Sequence, residues 1–147
     1  MMRRRQLVLA PAAALLCRPA HATPATLQAA IEAFTGGAPL REGRIRLDVS
    51  TLVENGNTVP VSLSLDGAGG SGTSDAVRRM ALFTERNPRP DVAVFEFGPL
   101  AGAPRVATRM RLATSQTLVA VAQMVDGSFW QHRVQVIVTL AACVEGG

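Results

Sequence analysis

Two hydrophobic periods follow one another along the chain. Leu27, Ile31 and Phe34 recur at helical spacing and fall on one face. Thr23 can cap this segment, Pro24 suits a first helical position, and Gly36-Gly37 stop it. The spacing predicts a short amphipathic helix lying on the body with its apolar stripe inward. Beyond it the period becomes two. Ile45, Leu47 and Val49 alternate with Arg44, Arg46 and Asp48, and Val59, Val61, Leu63 and Leu65 alternate with Pro60, Ser62 and Ser64. Ala93, Phe95 and Phe97 share a face, and Val106, Thr108, Met110 and Leu112 alternate with Arg109 and Arg111. The run from Thr117 to Met124 is nearly all apolar, and Val134, Val136, Val138 and Leu140 alternate with Arg133, Gln135 and Thr139. Such alternation marks strands with one face buried.

The segments between these runs are turn-like: Glu54-Asn55-Gly56-Asn57, Asn87-Pro88-Arg89-Pro90, Gly98-Pro99 and Asp126-Gly127. Asp-Gly between two apolar runs is a strong hairpin signal. The stretch 75–85 fits a helix or a strand; the strand reading makes Asn87-Pro88-Arg89-Pro90 the turn into the next strand. Six or seven short strands with little helix predict an all-β fold, an immunoglobulin-like antiparallel β-sandwich with a short N-terminal helix and a mobile C-terminal tail.

Composition changes this picture at the start of the chain. Arg3, Arg4 and Arg5 precede a short apolar run from Leu7 to Cys17, and Ala20-His21-Ala22 supplies a small–x–small cleavage pattern. This is the layout of an export signal, and Arg4-Arg5-Gln6-Leu7-Val8 fits a twin-arginine signal loosely. The apolar run is too short to span a membrane, which takes about 18 residues or more. The expected organisation is an export signal at 1–22, a sandwich at 23–140 and a tail at 141–147. All 15 basic residues are arginine, and Arg3, Arg4, Arg5 and Arg18 leave with the signal, so eleven remain against 11 acids. A nucleic-acid footprint needs a basic domain rather than a basic leader, so no nucleic-acid partner is expected.

Candidate chemistry narrows quickly. Gly67-Ala68-Gly69-Gly70-Ser71-Gly72 matches G-x-G-x-x-G, but no βαβ alternation follows and the run reads as a loop. With the signal removed, His132 is the only histidine and Cys143 the only cysteine. A blue-copper or zinc ligand set cannot be completed, so no metal and no cofactor are expected. A Cys143–His132 nucleophile pair is conceivable, against the plainer reading of His132 as a partly exposed strand residue. Met80, Met110 and Met124 read as core filling; Arg109 and Arg111 read as a solvated face. Cys143 stands past the last strand among Ala141, Ala142, Val144, Glu145, Gly146 and Gly147. A lone thiol in an exported chain, placed in a tail, suggests a reactive group or an intermolecular link.

Three blocks resemble the SoxY family, the carrier subunit of the periplasmic sulfur-oxidation system. They are Glu54-Asn55-Gly56-Asn57-Thr58-Val59-Pro60; Asn87-Pro88-Arg89-Pro90 continuing to Val92, Phe95 and Phe97; and Thr108-Arg109-Met110-Arg111-Leu112-Ala113 continuing through residues 116–122 to Asp126-Gly127. The resemblance implies a periplasmic carrier, not an enzyme, that pairs with a SoxZ-like subunit. Sulfur intermediates would stay attached to Cys143 while partner enzymes act on them: a haem pair of SoxAX type, a SoxB-type hydrolase and, in some systems, a SoxCD-type dehydrogenase. The family arm reads Gly-Gly-Cys-Gly-Gly; here alanines stand at 141 and 142, and Val144-Glu145 precede the last two glycines. Alanine has less backbone freedom than glycine. The alternative reading is a carrier-like or partner-binding sandwich whose altered tail thiol is rarely loaded.

Overall fold

The computed structural model describes residues 22–66 and 77–142. Residues 1–21, which hold nearly all of the expected export signal at 1–22, residues 67–76, which hold the glycine-rich run, and Cys143 with the residues after it lie outside the described residues.

The helix forms where its signals stand. α1 spans Pro24–Thr35 with Thr23 as N-cap, and Thr23 and Thr26 satisfy each other's orphan groups in a capping box. Gly36 ends it in the left-handed conformation, φ 64°, which lacks a steric cost only for glycine. Leu27 and Ile31 are buried on the inward stripe.

Nine strands follow among the described residues: β1 Leu40–Glu42, β2 Ile45–Asp48, β3 Leu52–Asn55, β4 Val59–Leu65, β5 Val77–Thr84, β6 Asp91–Glu96, β7 Arg105–Met110, β8 Gln116–Met124 and β9 Phe129–Leu140. One sheet runs β1-β9-β8-β5-β6, with β3 also on β9; the other runs β2-β4-β7. The result is a β-sandwich, as the alternation predicts, and the stretch beginning at Val77 is a strand. Most ladders are antiparallel, but β1 and β3 both lie parallel to β9, one near its start and one near its end. These two strands escape the sequence pattern because they are short and mostly exposed, so their partners rather than their periodicity define them.

The core has two layers, one on each side of β5 and β8. Met80 and Leu82 of β5 and Leu118, Ala120 and Ala122 of β8 face the small sheet, meeting Val59, Val61 and Leu63 of β4. The intervening Ala81, Phe83, Val119 and Val121 face α1 and meet Leu27 and Ile31. Burial on both faces is why β8 reads as a continuous apolar run. Phe34 meets Phe83 and Phe129 edge-on, with ring centroids 5.8 and 6.0 Å apart. Met80, Met110 and Met124 fill the inter-sheet core.

The β8–β9 hairpin turns at Asp126-Gly127, with Gly127 at φ 86°. Ser128 donates from its hydroxyl and its amide to the Asp126 carboxylate. These bonds, the hydroxyl's first, with Arg44 and Arg41 nearby, hold that carboxyl below the usual aspartate range.

The root of the C-terminal segment as candidate functional site

The last strand outruns its antiparallel neighbour. β8 begins at Gln116, which pairs with Val136, so four residues of β9 continue beyond that ladder. Two other elements hold them. On one side β3 supplies a parallel ladder, Leu52 beside Ile137, Val53 beside Val138 and Asn55 beside Leu140. On the other, the Val138 amide donates to the Ser115 hydroxyl at 2.8 Å. Thr139 adds a bond from its hydroxyl to the Glu54 carbonyl at 3.0 Å.

The turn after β3 then closes on the strand end. The Asn57 amide donates to the Asn55 side chain at 2.9 Å, an Asx turn that breaks the ladder. Gly56, in the middle of it, bonds in two directions. Its amide donates to the Leu140 carbonyl at 2.8 Å, and its carbonyl accepts from the Leu112 amide at 2.8 Å. Leu112 in turn accepts at its carbonyl from the Ala142 amide at 3.1 Å. Leu112 is fully buried in the inter-sheet core, and Ala142 is buried as well.

Glycine at 56 is a requirement of space. A Cβ there would stand 2.5 Å from the Leu112 carbonyl oxygen, 3.0 Å from the Ala142 nitrogen and 3.1 Å from a Val138 methyl. Three backbones meet at this point, and no side chain fits between them.

Asn87 secures the third of those backbones. Its side-chain amide donates to the Arg111 carbonyl at 2.8 Å, and its oxygen accepts from the Ala113 amide at 3.0 Å and from Gln116 at 2.9 Å. Gln116 is buried, and its own oxygen accepts from the Arg86 amide at 2.8 Å. Residues on either side of Leu112 are thereby tied to the turn after β5. Gly56, Asn87 and Leu112 come from the three separate blocks picked out in the sequence; Gly56 and Leu112 meet Ala142, and Asn87 holds the residues that flank Leu112.

The other candidates go elsewhere. His132 lies on β9 eight residues before Leu140, about 26 Å along the strand. The three residues from Leu140 to Cys143 span about 10 Å at most, too little to return to it. Its Nδ1 accepts from the Leu47 amide at 3.0 Å, joining the edge of β2 to the large sheet. That bond and that distance give His132 a structural role. Arg109 and Arg111 are exposed, Arg109 on the outward face of β7. An open groove of about 570 Å³ on the outer side of the small sheet is lined by Asp48, Ser62, Arg105 and Arg109 among others, and none of the tail-root residues lines it. Among the described residues no group of three or more His, Cys, Asp or Glu converges to hold a metal. No helix among them is long and apolar enough to cross a membrane.

Sequence reasoning singles out Cys143, the residue that follows Ala142, and it lies outside the described residues. It passes over Gly56, Asn87 and Leu112 as site residues. A glycine flanked by two asparagines and an asparagine before a proline are signals of turns, not of what the turns hold.

Residues 31–143 match the family described as sulfur oxidation protein SoxY. The chain belongs to the SoxY family. Among solved structures it is similar to the sulfur carrier protein SoxY from Chlorobium limicola f thiosulfatophilum, with 31% identity and a TM-score of 0.65 over 80% of this chain and 100% of that one. Superoxide reductases share the sandwich at lower identity. The enzyme from Ignicoccus hospitalis (neelaredoxin) matches with 19% identity and a TM-score of 0.54, covering 64% of this chain and 79% of that one. The enzyme from Nanoarchaeum equitans matches with 11% identity and a TM-score of 0.52, covering 64% and 92%. These two likenesses are of fold alone. No curated protein sequence matches the chain. SoxY membership spans α1 from Ile31 through β9 and so includes every residue of the tail root.

Proposed function

We propose that this chain is an exported carrier of sulfur intermediates, held covalently on Cys143 and presented to partner enzymes of sulfur oxidation. Membership of the SoxY family supports a sulfur-carrier role. The observation that supports the assignment to the C-terminus is the meeting of Gly56 and Leu112 with Ala142, the residue just before Cys143, with Asn87 tying down the residues on either side of Leu112.

The chemistry asks little of this chain beyond a nucleophile. In loading, the Cys143 thiol couples with thiosulfate: a sulfur–sulfur bond forms, the thiol proton leaves, and two electrons pass to a haem partner of SoxAX type. Hydrolysis by a SoxB-type partner then releases sulfate and leaves a persulfide on the carrier. A SoxCD-type dehydrogenase would oxidise that remaining sulfur where one is present. The chain itself performs no catalytic step. Attachment spares each enzyme from recapturing a small anion from solution, which is an effective-concentration advantage. A SoxZ-like subunit completes a heterodimer, and the arginine-bearing leader takes the chain to the periplasm.

Mass spectrometry of the native protein, purified during active sulfur metabolism, tests this reading. Thiosulfonate or polysulfide adducts are expected on Cys143 and absent from Cys143→Ser. Unmodified protein with only reducible dimers would instead favour a partner-binding sandwich whose thiol is rarely loaded.

A further inference from the structure

The length of a tether depends on where its fixed end lies. By strand assignment the body ends at Leu140, which leaves three residues to reach Cys143, about 10 Å of extended chain. The hydrogen bonds place the fixed end later. Leu140 is held by the Gly56 amide, and Ala142 is held by the Leu112 carbonyl with its methyl buried. The last anchored position is then the immediate neighbour of the thiol-bearing one, a single step of about 3.5 Å of chain.

We propose that Gly56, Leu112 and Ala142 form a latch that roots the C-terminal segment one residue before Cys143, which makes Gly56 and Ala142 positioning residues for sulfur attachment. The purpose assigned to the latch rests on the carrier reading of Cys143; its geometry does not.

The parts differ in firmness. Leu112 is immovable: its side chain is fully buried, its neighbours are tied to Asn87, and its amide is bonded to Gly56. Ala142 is the weak member, held by one hydrogen bond and one buried methyl. A contact of that size opens locally without unfolding the sandwich. The latch therefore supports two reaches. When closed, it fixes the chain at Ala142, one position before Cys143, and leaves a short reach suited to shallow partner sites. When open, it frees about 7 Å more chain for a deeper one. Glycine at 56 permits the closed state, because any Cβ there would press on the Leu112 oxygen and the Ala142 nitrogen together. Alanine at 142 favours it, because glycine would lose the buried methyl and gain backbone freedom.

Two measurements on the full mature chain test the latch. Amide hydrogen exchange should show the Ala142 amide slowed at least about tenfold below its open-chain rate. That protection should fall in Ala142→Gly and vanish in Gly56→Ala, while the β8 amides Val119 to Val121 keep theirs. In parallel, Cys143 is alkylated with iodoacetamide and with a maleimide on a large polyethylene glycol. The ratio of the bulky to the small rate should rise several-fold in Ala142→Gly, which removes one methyl and keeps the fold even if Gly56→Ala does not. An Ala142 amide exchanging at the open-chain rate in the parent protein, or an unchanged ratio in Ala142→Gly, overturns the latch. Protected Ala142 in a protein whose native thiol carries no sulfur would sink the carrier reading and leave the latch standing; sulfur adducts with an unprotected Ala142 would do the reverse.

Discussion

Asn87 satisfies three groups with one side chain, and each of them belongs to the segment that carries Leu112. Asn87→Ala would leave the Ala113 amide without its partner and take one bond from buried Gln116, which keeps those to the Thr114 carbonyl and the Arg86 amide. A buried polar group stripped of its bond costs about 1–3 kcal/mol, and denaturant unfolding should show a loss of that size. Asn87→Asp keeps the acceptor for Ala113 and Gln116 but sets a carboxylate oxygen against the Arg111 carbonyl, so it too should lower stability. Gly56 makes the complementary point about space. Its value lies in the atom it lacks, and the neighbours that make this matter are 56 and 86 positions away, at Leu112 and Ala142.

At the scale of elements, the sandwich depends on two strands covered on both faces from Met80 to Thr84 and from Leu118 to Ala122. Phe83 of β5 is the largest side chain those strands offer to the helix, and it meets Phe34 edge-on. Phe83→Ala should lower stability by about 3–5 kcal/mol, the usual cost of deleting a buried phenyl. Val94→Ala on the outer face of edge strand β6, where the side chain is 50% exposed, should change it by about 0.5 kcal/mol or less. Comparing the two by thermal or denaturant unfolding checks the burial pattern directly. The same elements show what can be read beforehand. α1, β2, β4, β7 and the later part of β9 carry their period in the chain itself. β5 is ambiguous in the sequence because both of its faces are covered, which erases alternation. β1 and β3 are invisible there because three- or four-residue parallel strands are defined by the neighbour they join.

Over the whole molecule, stability should grade from the middle of the large sheet to its edges. β5 and β8 are paired on both sides and buried on both faces, whereas β1, β3 and β6 lie at edges with exposed side chains. Native-state hydrogen exchange should therefore find the slowest amides at Ala81, Leu82, Ala120 and Val121, and markedly faster ones in β1 and β6. The root of the C-terminal segment falls between these extremes: β3 is an edge strand, yet it bonds to the end of β9 and to a core leucine through Gly56. The contact at Ala142 can open there without disturbing the layers that hold the protein together.

By itself the chain determined its helix, most of its strands and the sandwich they imply, because capping residues and alternating burial act over a few neighbouring positions. It also determined that Cys143 is the one cysteine after Cys17, which is a matter of counting. What the tertiary structure alone decided is how the chain is held beyond the end of β9. Gly56, Leu112, Leu140 and Ala142 are joined through backbone amides and carbonyls, groups that nearly every residue carries, so their pairing leaves no mark in residue type except a glycine where three backbones crowd together.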